Sequence, residues 1–185
     1  MVRNNKRTIM LATFGGGCFW CTEAIFKRLA GVKSVVSGYA GGEMDNPTYK
    51  AVCEGVTGHA EVIQVEYDPK TIGYNELLKV FFLTHDPTTL NRQGNDVGTQ
   101  YRSIILYHDD SQKEIAVELI KELTDSGEYT RPITTQVVEL EKFYAAEVYH
   151  QDYYDLNPDY PYCQYIISPK ISKFQEVFGS KAKPS

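Results

Sequence analysis

The sequence predicts an α+β protein whose core is a two-layer α/β sandwich with a mixed or antiparallel sheet. Strand-like and helix-like segments alternate along the chain, which indicates a fold that contains both kinds of element. Several predicted strands are joined by short links, which disfavours a doubly wound parallel sheet because every parallel pair needs a long crossover. The sequence contains no repeat and no internal linker, so we expect one domain over residues 1–185, with residues 1–7 as a flexible tail.

The N-terminal elements surround a run of three glycines. The apolar residues at 8–14 predict a buried strand that ends at these glycines. Apolar positions at helical spacing then predict a helix over 18–30, which Gly31 terminates. Residues 32–38 follow as a short strand, and residues 39–49 form a loop rich in glycine, asparagine and proline.

The middle of the chain continues the alternation. Residues 60–67 alternate between polar and apolar side chains, as expected for a strand with one buried face. Residues 75–84 have helical spacing, and the helix ends there because the residue before Pro87 is disfavoured in helical conformation. After a long polar loop, residues 101–107 predict another strand.

The C-terminal part begins with a predicted helix. Ser111 and Glu114 have the spacing of a capping box, and the helix that follows ends before Gly127. Residues 134–140 predict a strand. A polar, tyrosine-rich loop and a last helix over 171–178 complete the chain.

The composition is that of a globular protein and argues against two kinds of partner. The net charge is −5, from 19 basic and 24 acidic residues, so we expect no nucleic-acid binding, which depends on clustered positive charge. No apolar run approaches the roughly 20 residues of a membrane span, so we expect no membrane association. The apolar run before the glycines is also short for a secretory leader, and we expect a cytoplasmic protein whose four cysteines are reduced.

The most informative motif is GGGCFWC at residues 15–21, which contains two of the four cysteines and the one tryptophan. It lies between a predicted strand and a predicted helix. A cysteine at a helix start is near unpaired N–H groups and a partial positive charge, so we expect a lowered pKa and a nucleophilic thiolate at Cys18. The glycines would allow close approach to the sulfur, and Phe19 and Trp20 would form an apolar wall beside it.

Other interpretations of this motif stay open from the residues alone. Cys18 and Cys21 have the spacing of a redox pair or of half a zinc site, and a buried cysteine after a tight glycine turn is a purely structural alternative. A second Cys-x-x-Cys pair is absent, and Cys53 and Cys163 are isolated in the sequence. We therefore predict no bound metal.

One carboxyl falls on the apolar face of a predicted strand. Glu61 shares its face with Ile63, Val65 and Tyr67. Burial disfavours the charged form of a carboxyl, so the pKa of Glu61 would be raised and the side chain would serve as a general acid. A strand end that bends into solvent is the alternative, which the pattern leaves open.

Three further polar residues flank predicted elements. Tyr49 ends the loop at 39–49, while Asp96 and Tyr101 lie at the start of the strand over 101–107. Taken singly, each is typical of a turn residue or of a half-buried aromatic. They gain meaning only from the motifs in which they occur.

Five motifs follow one another in an order that resembles one family. They are Gly17-Cys18-Phe19-Trp20, Gly38-Tyr39-Ala40-Gly41-Gly42, Asn46-Pro47-Thr48-Tyr49, Gly58-His59-Ala60-Glu61 and GNDVGTQYRS at 94–103. From about residue 9 to residue 163 the chain resembles the peptide-methionine (S)-S-oxide reductases, the MsrA family. The resemblance implies a ferredoxin-like sandwich with a long coiled C-terminal segment. It also implies an oxidoreductase that repairs oxidised methionine, free and in proteins.

The resemblance implies a role for each matching residue. Cys18 matches the nucleophile, and Glu61 matches the proton donor to the sulfoxide oxygen. Tyr49 and Tyr101 match the hydroxyls that hold this oxygen, and Asp96 matches an aspartate that organises the site. The matches to the substrate pocket are Phe19, Trp20 and Tyr153.

The implied reaction passes through an oxidised enzyme. The Cys18 thiolate attacks the sulfoxide sulfur, methionine leaves and a sulfenic acid stays on Cys18. A second cysteine displaces water to form an intramolecular disulfide, which thioredoxin, or dithiothreitol in vitro, reduces. The implied partners are oxidised proteins, free methionine sulfoxide and thioredoxin. No bound cofactor is needed, and we expect a monomer.

The resolving cysteine is the point at which this sequence departs from the family pattern. Only Cys163 stands where some members carry two recycling cysteines, and Cys21 occupies a position that is often glycine. We expect Cys163, on a flexible polar loop, to attack the sulfenic acid first. Cys21 is the alternative first resolver or a second recycling thiol, and Cys53 is expected to be structural.

Two other functions compete with the one that the resemblance implies. A general dithiol oxidoreductase would use Cys18 and Cys21 and would not need Glu61, Tyr49 or Tyr101. A cysteine-ligated zinc module would bind stoichiometric zinc and lose its fold on chelation.

Overall fold

The fold is described here from a computed structural model for residues 8–184, and the tail predicted at 1–7 lies outside them. The strands are β1 Met10–Gly15, β2 Val32–Ala40, β3 Ala60–Tyr67, β4 Arg92–Gln93, β5 Asp96–Val97, β6 Ile104–Tyr107, β7 Gln136–Glu139 and β8 Phe143–Ala145. The α-helices are α1 Phe19–Phe26, α2 Tyr49–Cys53, α3 Tyr74–Leu83, α4 Asp110–Ser126, α5 Tyr153–Leu156 and α6 Ser168–Phe178. In this part of the chain, no helix combines the length and the apolar character needed to cross a membrane.

Six strands form a mixed sheet in the order β7-β6-β1-β3-β2-β8, and β4 pairs with β5 in a separate hairpin. The pair β6–β7 is parallel, and the other neighbours in the sheet are antiparallel. The central strand β3 places Ile63 opposite Phe14 of β1, and Glu61 opposite Tyr39 of β2. The α+β class and the mixed sheet are therefore confirmed.

The two faces of the sheet bury different residues. On β3, Ile63 and Val65 join the main core, to which α1, α3, α4 and α6 also contribute. Val62, on the opposite face, belongs to a small cluster that Leu140 and Phe143 border. Because α1 packs against β2 and β3, its N-terminus lies beside the start of β3. This packing brings Cys18 and Glu61 into the same region.

Two predicted helix boundaries are wrong for identifiable reasons. The helix predicted over 18–30 ends at Phe26, because Leu29 forms a bridge with Ala182 and Ala30 donates its N–H to Lys181 at 2.8 Å. The capping box predicted at Ser111 is also wrong. Asp109 is the N-cap, and its carboxylate accepts the N–H of Gln112 at 2.8 Å.

The largest differences lie at the start of one predicted strand and in the tyrosine-rich segment predicted as a loop. The strand predicted over 101–107 begins at Ile104, because residues 99–101 form a 3₁₀ turn. The tyrosine-rich loop contains α5 and a π-helical turn over Cys163–Ile167 that leads directly into α6. Short elements of this kind are stabilised by tertiary contacts, and local periodicity does not reveal them.

Candidate active site

Other parts of the protein occupy the space beside the three glycines. A Cβ on Gly15 would lie 2.7 Å from the backbone oxygen of Glu61, and a Cβ on Gly17 would lie 2.7 Å from Cγ of Gln93. Gly17 also has a φ of +92°, which other residues rarely adopt. We expected these glycines to make room for a ligand. Instead, the absence of side chains at Gly15 and Gly17 allows β3 and the β4–β5 hairpin to pack closely against the end of β1.

Glu61 is buried on the face predicted for it and exposes only 2% of its surface. Its Oε2 accepts the backbone N–H of Phe19 at 3.0 Å, in the first turn of α1. Burial raises the pKa of Glu61 to about 8, the Phe19 N–H opposes this shift, and the charge of Asp96 adds to it. Glu61 is thus a carboxyl that is protonated at neutral pH beside Cys18.

Cys18 is the N-cap residue of α1 and is partly exposed. Burial of its sulfur raises its pKa, and the neighbouring Cys21 and the charge of Glu61 raise it further, whereas the N–H of Trp20 lowers it. The prediction of a lowered pKa at Cys18 is therefore wrong, because burial outweighs the helix start. The hydrogen bond with Cys18 instead lowers the pKa of Cys21 to about 7. Each thiol thus shifts the pKa of the other, and the pKa that falls is that of Cys21.

Two phenols border Glu61. Burial and the charge of Glu61 raise the pKa of Tyr101, and burial together with a hydrogen bond to Cys53 raises the pKa of Tyr49, so both hydroxyls keep their protons. Glu147 fixes the start of α2, since its Oε1 accepts the N–H of Tyr49 at 2.8 Å. The site therefore presents a carboxyl proton and two phenol protons near Cys18.

An aromatic wall stands beside the cysteines. Trp20 stacks on Tyr153 with 3.7 Å between ring centroids and an interplanar angle of 4°. The indole Nε1 donates to Nδ1 of His150 at 3.1 Å, and the His150 ring lies 5.2 Å from that of Phe19. All three predicted pocket residues, Phe19, Trp20 and Tyr153, are thus brought together.

Asp96 is connected to the cysteine pair through a residue that the sequence analysis missed. The hydroxyl of Tyr162 donates to Oδ2 of Asp96 at 2.7 Å and lies 3.9 Å from Sγ of Cys21. His150 and Glu147 were missed as well. The position of Tyr162 directly before Cys163 was the available signal for it, and the motif His150-Gln151-Asp152-Tyr153 was the signal for the histidine.

The remaining cysteines differ from expectation. Cys163 is fully buried, in the π-helical turn and within the main core, so the prediction of a flexible loop is wrong. Burial and the charge of Cys21 raise the pKa of Cys163, which indicates that these two sulfurs are neighbours. Cys53 is exposed and contributes nothing to the core, so its expected structural role is not supported.

The described residues contain no obvious metal centre. Over 8–184, no three histidine, cysteine, aspartate or glutamate side chains are grouped as metal ligands would be. The donors that meet at this site are instead two thiols, one protonated carboxyl and phenols. Such groups supply nucleophilic attack and proton donation.

Comparison with known proteins identifies the family. The family described as peptide methionine sulfoxide reductase matches residues 10–182. The chain belongs to this family. It is 57% identical over 172 residues to the peptide methionine sulfoxide reductase MsrA of Sulfolobus acidocaldarius, covering 93% of this chain and 97% of that relative.

Solved structures of peptide methionine sulfoxide reductases share the fold. The reduced form of Mxr1 from Saccharomyces cerevisiae is 39% identical, with a TM-score of 0.77 over 86% of this chain and 92% of that one. Mxr1 in complex with Trx2 is 28% identical, with a TM-score of 0.55 over 83% of this chain and 90% of that one. The chain is accordingly an oxidoreductase that reduces methionine sulfoxide, as the resemblance implied.

Proposed function

We propose that Cys18 attacks the sulfur of methionine-(S)-S-oxide while Glu61 protonates its oxygen. The observation that carries this assignment is the buried Glu61 carboxyl, held at 3.0 Å from the N–H of Phe19 in the turn that contains Cys18. A sulfoxide sulfur becomes electrophilic when its oxygen is protonated or strongly hydrogen-bonded. Tyr49 and Tyr101 supply the further hydroxyls for this oxygen, and Phe19 and Trp20 enclose the methyl group.

Activation of the nucleophile requires a proton acceptor, and Cys21 provides it. The Cys21 thiolate takes the proton of Cys18, since the two thiols are close enough to shift each other's pKa. The Cys18 thiolate then attacks the sulfoxide sulfur as Glu61 protonates the oxygen. The hydroxyl is then transferred from the substrate sulfur to Sγ of Cys18, and the bond between the two sulfurs breaks, so that methionine leaves and Cys18 becomes a sulfenic acid.

Cys21 is also the better placed first resolver. It lies in the same helical turn as Cys18, with its backbone N–H bonded to the Cys18 carbonyl at 3.1 Å, whereas the charge that acts on the thiol of Cys163 is that of Cys21. Attack by Cys21 on the sulfenic acid releases water and leaves a Cys18–Cys21 disulfide. Cys163 then attacks Cys21, which forms a Cys21–Cys163 disulfide and frees Cys18 as a thiol. This order replaces the sequence-based expectation that Cys163 attacks first.

Disulfide mapping after one turnover without reductant tests the order. We expect Cys163→Ser to accumulate a Cys18–Cys21 disulfide, and Cys21→Ser to stall as the sulfenic acid. Mass spectrometry after trapping of sulfenic acids separates these products. A direct Cys18–Cys163 bond that forms at the normal rate in Cys21→Ser would restore Cys163 as first resolver.

Regeneration uses a thioredoxin. The relative Mxr1 is known in complex with Trx2, and a dithiol partner of this kind reduces an intramolecular disulfide by exchange. Dithiothreitol replaces it in vitro. No bound cofactor or metal takes part in any of these steps.

The remaining features of the proposal concern the protein as a whole. The substrates are free methionine sulfoxide and oxidised proteins, and the compartment is the cytoplasm. The chain acts as a monomer and as one domain over residues 1–185. Its architecture is a two-layer sandwich with a ferredoxin-like core and a long C-terminal segment, which the placement of the main core between helices and one face of the sheet supports.

Turnover of the separated S and R epimers with dithiothreitol tests the reaction itself. We expect reduction of the S epimer alone, and loss of this activity in Cys18→Ser. Circular dichroism of the variant serves as the control for folding. A folded wild-type protein that reduces neither epimer would contradict the proposal.

A further inference from the structure

Glu23 lies on the same helix as the reacting residues, yet no step of the reaction uses it. It exposes only 1% of its surface, and a carboxyl buried to this extent needs a partner. The nearby cations are engaged elsewhere. Lys27 pairs with Asp152 and Asp155, and Arg28 pairs with Asp155 at 2.9 Å.

The partner of Glu23 is the backbone of the C-terminal segment. Its Oε1 accepts the N–H of Asp152 at 3.1 Å, and the N–H of Tyr153 also faces the carboxyl. Asp152 has a φ of 55°, a left-handed conformation that costs a non-glycine residue about 1 kcal/mol. It precedes α5, and its own side chain forms no capping bond. The Glu23 carboxyl therefore binds the backbone where the chain enters α5.

The segment that Glu23 holds supplies the hydrogen-bond acceptor of Trp20 and the ring that stacks on it. His150 accepts the indole N–H, and Tyr153 stacks on the indole ring. Trp20 and Glu23 are three residues apart on α1, so both side chains face this segment. The position of the indole is thus coupled to the contact between Glu23 and the backbone at residues 152–153.

We propose that Glu23 is a positioning residue of the substrate pocket, whose carboxylate holds residues 150–153 and thereby fixes the Trp20 indole beside Cys18. The inference rests on the proposed function to identify this region as the substrate pocket. The coupling between Glu23 and Trp20 does not depend on that function. Glu23 touches no reacting atom.

The charge on Glu23 sets the strength of this contact. A carboxylate accepts N–H groups more strongly than a protonated carboxyl does. Burial raises the pKa of Glu23 to about 7, while the N–H of Asp152 lowers it, the charge of Asp152 raises it and that of Lys27 lowers it. The segment is therefore held firmly above neutral pH and loosens below it.

Trp20 itself reports on the contact, because it is the only tryptophan in the chain. Fluorescence of the reduced protein across the neutral pH range should show a transition near the pKa of Glu23, about 7. We expect Glu23→Gln, which keeps an acceptor oxygen without the charge, to remove this transition. Glu66→Gln, at an exposed carboxyl on β3, should leave it unchanged.

Three other groups near Trp20 also titrate and need controls. The pKa of Cys21 is lowered to about 7 and that of Glu61 is raised to about 8, so the titration is made in Cys21→Ser/Glu61→Gln with and without Glu23→Gln. His150 titrates at lower pH, because burial lowers its pKa, and its signal should remain in every variant. In this background, a neutral transition that survives Glu23→Gln, or that is absent while Glu23 is intact, overturns the proposal.

Kinetics provide the second readout. In Glu23→Gln we expect KM for the sulfoxide to rise about fivefold above neutral pH, with loss of the wild-type pH dependence of KM and with kcat nearly unchanged. A fall in kcat with unchanged KM would indicate a general structural role and contradict positioning. The fluorescence titration needs no substrate, so absence of sulfoxide reduction would refute the proposed function and leave this test intact.

Discussion

Two parts of the molecule build the pocket, and they are held in different ways. The proposed nucleophile, Cys18, and the proposed acid, Glu61, lie where β1, β3 and α1 meet, and the ladders of the central sheet fix their positions. The opposite wall belongs to the C-terminal segment over residues 146–167, which side chains hold in place. Gln151, for example, accepts the N–H of Ser37 and donates to the carbonyl of Ser37, both at 2.9 Å.

The two sides of the pocket therefore have different roles: one carries the proposed reacting groups, and the other encloses the substrate. The reacting groups depend on regular secondary structure and a packed core, so they tolerate little change. The enclosing wall is anchored in the core at Cys163 and Ile167, but around residues 150–153 it depends on polar contacts from Gln151, Glu23 and Trp20. We therefore expect substitutions on the sheet side to reduce kcat, and substitutions on the C-terminal side to change KM or regeneration.

The largest expected effect lies on the sheet side. Glu61→Gln removes the proposed proton donor but preserves the shape of the side chain, so kcat should fall by about 10²–10⁴-fold. Steady-state turnover of the S epimer with dithiothreitol measures this change, and Glu66→Gln is the matched control. A decrease in kcat of less than about tenfold would show that Glu61 is not the general acid.

The pH dependence of kcat sharpens the assignment further. Cys21 must be deprotonated and Glu61 protonated, with pKa values of about 7 and about 8. Turnover should rise as the pH increases through the first value and fall as it increases through the second, giving a bell-shaped profile. Glu61→Gln should lose only the alkaline limb. If the alkaline limb persists in Glu61→Gln, a group other than Glu61 causes it.

On the C-terminal side, Tyr153→Ala should raise KM by about three- to tenfold and leave kcat nearly unchanged. The estimate follows from the energy of one stacked aromatic pair, about 0.5–1.5 kcal/mol. The exposed Tyr165 offers a matched Tyr→Ala control, because 76% of its surface is accessible. Equal effects of the two substitutions would show that the stack with Trp20 is irrelevant to binding.

The smallest effect concerns stability at the glycine run. Gly17→Ala and Gly127→Ala both introduce a side chain at positive φ, but only at Gly17 does the new Cβ meet a neighbour, Gln93. The free energy of unfolding should fall by about 1 kcal/mol more for Gly17→Ala than for Gly127→Ala. Chemical denaturation of both variants measures the difference. Equal losses would show that Gln93 adapts without cost.

The sequence predicts the sheet side far better than the C-terminal side. The burial of Glu61 follows from alternation along one strand, and the helix at Cys18 follows from periodic apolar residues and the glycines before it. The raised pKa of Cys18 does not follow, because it depends on burial by residues distant in sequence and on Cys21. The roles of Tyr162 and Glu23 are equally hidden, since each depends on a contact more than 60 residues away in the chain.

The complete burial of Cys163 has a consequence for an enzyme that works where oxidants are present. Thiols react with peroxides through their exposed, ionised form, and Cys163 has neither accessible surface nor a low pKa. It is therefore spared the damage that threatens a surface thiol such as Cys53. Together with Cys21, which is also buried, it forms a dithiol that keeps two reducing equivalents in the interior, away from the reagents that create the substrate.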